Sequence, residues 1–236
     1  MMRSADMSLF DPPYWRGCKV LQYENLTPSV AEIFIGHAIL IVERKDLMFQ
    51  SFTAESKKVH ELNKRWWKDP KTGEPIERNK GQVLMLAVSE LAEALEGHRK
   101  NKADEHLPQY PSPAVELADC LIRLLDNATG FGFELNDDFI MDAYRSDLKI
   151  FSGRDFAESL FMITCSISML YPWAVVGGDI TKFQQTFQCC IASVIALGAL
   201  NYQSTFIEAY YAKNEYNKTR LDHTDAHRLA EGGKKY

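Results

Sequence analysis

Two pairs of acids stand three residues apart in this chain: Glu90 and Glu93 in Ser89-Glu90-Leu91-Ala92-Glu93, and Glu116 and Asp119 in Glu116-Leu117-Ala118-Asp119. On a helix, positions i and i+3 share a face, so each pair aims two carboxylates the same way. Two such helices packed together would converge all four. Four converged anions need cations, and hard oxygen donors in that number suit Mg²⁺, with Mn²⁺ as a second fit. Mg²⁺ held by a few carboxylates typically completes its shell with water and substrate phosphates, so phosphate chemistry is what these residue types point to. Two rival metal chemistries fail on the sequence. None of the six histidines has an acid three residues before it, as di-iron bundles require, and no His-Asp dipeptide occurs.

An isolated acid pair on a helix is most often a solvated face. Here the surroundings argue otherwise. Leu84, Val88, Leu91 and Leu95 form one apolar stripe, and Leu86 and Ala94 flank the Glu90/Glu93 side, which leaves little of that helix for water. On the second helix Glu116, Asp119, Arg123 and Asp126 share one face, while Leu117, Leu121, Leu124 and Ala128 run along another. The acids therefore face protein. Nearer the C-terminus, Phe206, Tyr210, Lys213, Asn217 and Arg220 follow spacings of four, three, four and three and form one stripe. It supplies donors with no acid on its own face, which suits a helix that meets a polyphosphate.

These residues carry a resemblance. Glu-x-x-Glu, a linker, then Glu-x-x-Asp, in LAVSELAEALEGHRKNKADEHLP and AVELADCLIRLLD, is similar to the all-α nucleoside triphosphate pyrophosphohydrolases of the MazG-like group, which includes the dimeric dUTPases. The likeness extends to AKNEYNKTRLDH and GGKKY, and covers Lys80 to Gly130 and Tyr210 to Tyr236. It implies an all-α helical bundle that hydrolyses a (deoxy)nucleoside triphosphate to the monophosphate and pyrophosphate. Glu90, Glu93, Glu116 and Asp119 would hold Mg²⁺ and do the catalytic work; Lys213, Asn217 and Arg220 would bind phosphate. In that group the helix before the first acid pair helps form the nucleoside pocket, which makes Asn63 and Trp67 the base-site candidates: an amide reads a base edge and an indole face stacks on it. The group is generally dimeric or tetrameric, so a homodimer or homotetramer is expected. A dUTPase-type hydrolase of the same fold, or a nucleotide-binding module without turnover, stands as the alternative.

The elements that must position these groups are legible from punctuation and period. Thr53 to Trp67 is an amphipathic helix before the turn Asp69-Pro70-Lys71-Thr72-Gly73, and Ser112-Pro113 starts the second acidic helix that Gly130 stops. A further helix runs from about Asp137 to Ile150. Beyond Gly153 come two apolar patterns, Arg154 to Leu170 and Ile180 to Leu200, before a last helix opened by a Thr205-x-x-Glu208 capping box. The expected organisation is a single all-α domain over 1–236. It comprises an N-terminal extension over 1–52, a catalytic bundle over 53–150 and 203–236, and a helical insertion over 151–202 that either completes the core or meets another subunit. The N-terminal stretch offers a helix start at Thr27-Pro28 and an apolar run from Val30 to Val42 containing His37.

Composition narrows the partners. A chain of 236 residues, 46% apolar, with net charge −5, has no basic tract, which argues against a nucleic-acid polymer as ligand. The apolar runs are short for a bilayer and carry Ser, Thr, Gln and Pro172, so buried helices rather than membrane spans are expected. Five cysteines without Cys-x-x-Cys spacing read as reduced thiols, and the start lacks an apolar signal segment, so the expected location is cytoplasmic.

Overall fold

The computed structural model describes residues 48–175 and 177–234, and these are all-α: helices and short 3₁₀ turns with only isolated bridges at Lys68–Pro75 and Ala103–Pro111. The Thr27-Pro28 start, the Val30–Val42 run with His37, Cys18, Lys235 and Tyr236 lie outside the described residues.

Helix α1 (Phe52–Asn63) starts where Ser51 Oγ accepts from the Ala54 N–H and ends in a 3₁₀ turn (Lys64–Trp67). Helix α2 (Lys80–Lys100) is capped by Asn79, whose side chain accepts from the Gln82 N–H, and stops at Asn101 in the left-handed region. His98, Arg99 and Lys100 fill its last turn, where cations complement the dipole. Helix α3 (Ser112–Gly130) begins on Pro113, whose fixed φ suits a first turn. Helices α4 (Asp137–Phe151), α5 (Phe156–Ser168) and α7 (Ile180–Tyr202) open on Asn136, Asp155 and Asp179, each side chain accepting from backbone N–H groups of the first turn. A short α6 (Leu170–Val175) joins α5 to α7. Helix α8 (Ser204–Thr219) follows, then a 3₁₀ turn (Leu221–His223) and α9 (Asp225–Leu229).

At the centre is α3, buried nearly all round and packed against α1, α2, α7 and α8. Ser56 on α1 donates to the Leu125 carbonyl at 2.7 Å, and the Phe52 N–H meets Asp137 at 2.8 Å, so α1 is fastened at both the middle and the start. The stretch 151–202 is not an appendage. Phe183, Phe187, Cys190, Ile191, Val194 and Leu197 of α7 are buried against α3, α4 and α5, so α7 completes the core within this chain. Among the described residues α7 is long and apolar enough to cross a membrane, but 78% of its most apolar window is buried inside the protein.

The expected capping box at Thr205 does not form: α8 begins at Ser204 with no side-chain cap. The corner is set by packing instead. Gln203 takes φ 51°, and a Cβ on Gly198 would sit 2.6 Å from the Phe206 ring, so the missing side chain lets α7 and α8 close on each other. Of the cysteines, Cys120, Cys189 and Cys190 are buried, and Cys165 is exposed.

Candidate active site

The crossing of α2 on α3 is close because Gly97 has no side chain; a Cβ there would lie 2.5 Å from Ser112 Oγ. That approach brings Glu90, Glu116 and Asp119 together, with one carboxylate oxygen of each within 4.8 Å of the others. Glu90 is 5% and Glu116 9% exposed. Glu93 does not join them. Three residues along a helix is about 60° away from its partner, so when Glu90 points at α3, Glu93 turns to solvent and stands on the rim of the same cleft.

Two cations reach into the cluster. Lys213 of α8, whose side chain is 6% exposed, pairs with Asp119 at 2.8 Å. Arg123, one turn after Asp119 on α3, donates Nε to Glu90 at 2.6 Å. Two of the three acids are thus partnered, and the third carries the strain: burial, then the neighbouring Asp119 charge, pushes Glu116 up to about 9. Burial also raises Glu90, more than Arg123 lowers it. Burial pulls Lys213 down, but Asp119 outweighs that and its pKa stands above the ordinary lysine value.

The cluster opens into a cleft of 330 Å³, also lined by Glu93, Arg220 and Lys234. A second chamber of 240 Å³ adjoins it, lined by Asn63, Trp66, Arg78, Asp126, Asn217 and His223 among others; Asp119, Arg123, Arg220 and Lys234 line both. Two polar atoms of the second chamber are buried without a hydrogen-bond partner, Arg78 Nη2 and Asn217 Oδ1. A buried orphan donor and orphan acceptor are costly, and a polar ligand in that chamber would relieve both. His223 stands edge-on to Trp66, ring centroids 5.3 Å apart, and burial, then the Arg220 charge, pushes its pKa down to about 4, so its ring is neutral.

Trp67, a base-site candidate by sequence, is structural. Its Nε1 donates to both oxygens of Asp126 at 3.0 and 3.1 Å, and its ring lies where a Cβ on Gly130 would be, 2.1 Å from Cη2. The 3₁₀ turn after α1 sends successive indoles in different directions, so its neighbour Trp66 lines the chamber. Asn63 does line it, with Nδ2 bonded to the Val59 carbonyl at 2.9 Å. The Lys213–Asn217–Arg220 stripe reaches the site as expected but is not free of acids: Asp119 takes Lys213, and Asp222 takes Arg220 in two bonds of 2.9 and 2.7 Å. Sequence reasoning places Arg123 on the acidic face without its role and misses Arg78; it gives the lysines of Gly232-Gly233-Lys234-Lys235 as able to close over phosphates, and Lys234 lines the cleft. Arg78 precedes α2 in a stretch with no periodicity to mark it. His223 and His227 fall in different elements, so they form no helical i, i+4 pair.

Comparison with protein-family models, with curated proteins and with solved structures finds no match to this chain.

Proposed function

We propose that this chain is a Mg²⁺-dependent nucleoside triphosphate pyrophosphohydrolase that converts a (deoxy)nucleoside triphosphate to its monophosphate and pyrophosphate. The observation that carries the reading is the joining of a buried three-carboxylate cluster and a cationic cleft to a chamber with unpaired polar atoms. The donor set fits a hard divalent cation: three carboxylates, one of them held protonated by burial and the neighbouring Asp119 charge, are what such an ion relieves. Glu90, Glu116 and Asp119 would hold it, and a bound Mg²⁺ supplies charge for the triphosphate and a lowered pKa for water.

The chain's own groups supply the rest. Lys213, Arg220 and Lys234 bind phosphate oxygens and offset charge growing on the pyrophosphate leaving group. Glu93, outside the cluster and solvated, is free to take a proton from the attacking water. Asn63, Trp66, Arg78 and Asn217 receive the base, the amides and guanidinium on its edge and the indole against its ring.

One observation favours a second reading. Lys213 with Asp119 and Arg123 with Glu90 already offset two of the acids without a metal, as in a nucleotide-binding module that does not turn over. The experiment that separates them is incubation with each common ribo- and deoxyribonucleoside triphosphate, dUTP included, plus Mg²⁺, followed by product identification. Monophosphate and pyrophosphate support the hydrolase; diphosphate and orthophosphate, or no product from any nucleotide, remove it.

A further inference from the structure

The end of α8 holds an arrangement that the hydrolase reading does not by itself require. Arg220 leaves the helix in an extended conformation (φ −62°, ψ 125°), and its side chain lines the cleft. Asp222, in the 3₁₀ turn that follows, accepts from Arg220 Nε at 2.9 Å and from Nη2 at 2.7 Å, and accepts from Lys234 Nζ at 2.6 Å. One carboxylate therefore gathers two cations from positions fourteen residues apart in the chain (234 − 220).

The location of that carboxylate decides its role. Arg220 and Lys234 line both chambers and so stand at their junction, whereas Asp222 lines neither. It lies behind the cations and does not occupy the place a phosphate would take. The fork also leaves donors over. Asp222 uses Nε and Nη2, so Nη1 and the remaining protons point elsewhere, and the guanidinium carbon stands 5.5 Å from the Tyr216 ring. With Arg123 and Asp119, which also line both chambers, three cations and two anions meet there and leave a net positive charge.

The intervening segment is strapped down. Arg228, 8% exposed, donates to the Arg65 carbonyl at 2.6 Å and the Lys68 carbonyl at 3.3 Å, and its guanidinium carbon lies 4.8 Å from the ring centre of Trp66. Arg65 answers by donating to the His223 carbonyl at 3.0 Å. Gly232 at φ +77° and Gly233, where a Cβ would meet the His227 carbonyl at 2.0 Å, then reverse the chain and return Lys234 to the cleft. A strap fixed in this way places a flexible lysine with less entropy left to lose when an anion binds.

We propose that Asp222 is a positioning residue that makes the C-terminal segment part of a polyphosphate site, tying Arg220 and Lys234 side by side where the two chambers meet. The ligand is a chain of linked phosphates. The inference rests on the phosphate half of the proposed function and does not depend on turnover.

The test is calorimetry of inorganic tripolyphosphate at saturating Mg²⁺ on the full chain. Wild type should bind it, and Asp222→Asn should weaken binding about tenfold by losing the charge-assisted fork. Asp222→Glu should recover part of that loss, while the affinity for Mg²⁺ alone stays at the wild-type value in both. A purely structural role is separated by a double-mutant cycle. In a Lys234→Gln background, itself about fivefold weaker, Asp222→Asn should cost less than it does alone, because one of the two cations it positions is gone. Lys234→Gln also supplies the readout if Asp222→Asn fails to fold: wild-type affinity in that variant overturns the inference. Equal or tighter tripolyphosphate binding in Asp222→Asn overturns it, as does a wild-type protein that does not bind tripolyphosphate. Failure of the hydrolase reading looks different: no nucleotide is turned over, yet tripolyphosphate binds and depends on Asp222.

Discussion

Glu116→Gln should stabilise the metal-free protein and at the same time abolish its response to Mg²⁺. In the unfolded chain Glu116 loses its proton near its ordinary value of 4.5, but in the fold burial and Asp119 hold the proton on until about 9. Between those values the folded state binds more protons than the unfolded one, so wild-type stability falls as pH rises through that window. Glutamine never ionises and is spared that loss. At about 1.4 kcal/mol per pH unit, the variant's advantage should grow by up to about 5 kcal/mol between pH 5 and pH 9. Glu116 shares that penalty with the charges packed around it, so about half is the reasonable expectation for the single substitution. For a chain of this size that is a gain of about 5–10 °C in melting temperature at pH 9 relative to pH 5. Melting curves followed by circular dichroism at both pH values, with and without Mg²⁺, give the reading. Wild type should gain about 2.7 kcal/mol with Mg²⁺ at a hundred times its dissociation constant, and the variant almost none. If the variant and wild type show the same pH dependence without metal, or respond equally to Mg²⁺, the placement of Glu116 at a buried cation site is wrong.

Asp119→Asn should abolish Mg²⁺-dependent hydrolysis in a folded protein, whereas Glu90→Gln should also lower stability by about 3 kcal/mol in urea titration, because among the described residues Glu90 is the only acid bonded to Arg123. Trp66→Ala should raise KM with little change in kcat, the pattern of lost ground-state binding, while Trp67→Ala should leave KM alone and cost about 3 kcal/mol of stability. Gly130→Ala should destabilise by about 1–3 kcal/mol or more, since its methyl group would enter the Trp67 ring. Arg220→Ala should lose activity with Mg²⁺ binding retained, and Arg220→Lys should recover only part, as Lys keeps the charge without the planar fork.

The helices and their order were legible because their signals are local. Ser112-Pro113, Gly130 and the 3.6-residue periods mark boundaries that the structure keeps within a residue or two, except that the first helix ends at Asn63 and its expected last turn, to Trp67, is 3₁₀. The convergence of Glu90 with Glu116 and Asp119 was legible for the same reason, since i, i+3 spacing fixes direction on each helix. What failed depended on packing. Glu93 shares a helix face with Glu90, but the angle of α2 on α3, set by Gly97 against Ser112, admits only one of them. Trp66 and Trp67 are indistinguishable as neighbours in sequence; the bond from Trp67 to Asp126, 59 residues away, sorts them. The apolar richness of 151–202, which suggested a subunit contact, is spent largely within the chain once α7 is seen against α3 and α4, so it does not itself require a partner. Asp222's hold on Arg220 and Lys234 needed the strap's path, which no spacing encodes.

Everything rests on the three carboxylates holding a divalent cation, and Mn²⁺ reports on that directly by electron paramagnetic resonance, which distinguishes bound from free ion. Wild-type protein titrated with Mn²⁺ at pH 8 should show a bound population that Mg²⁺ competes away and that Asp119→Asn loses. A wild-type protein that leaves all Mn²⁺ free, or an Asp119→Asn variant that binds it as tightly as wild type, would contradict the account.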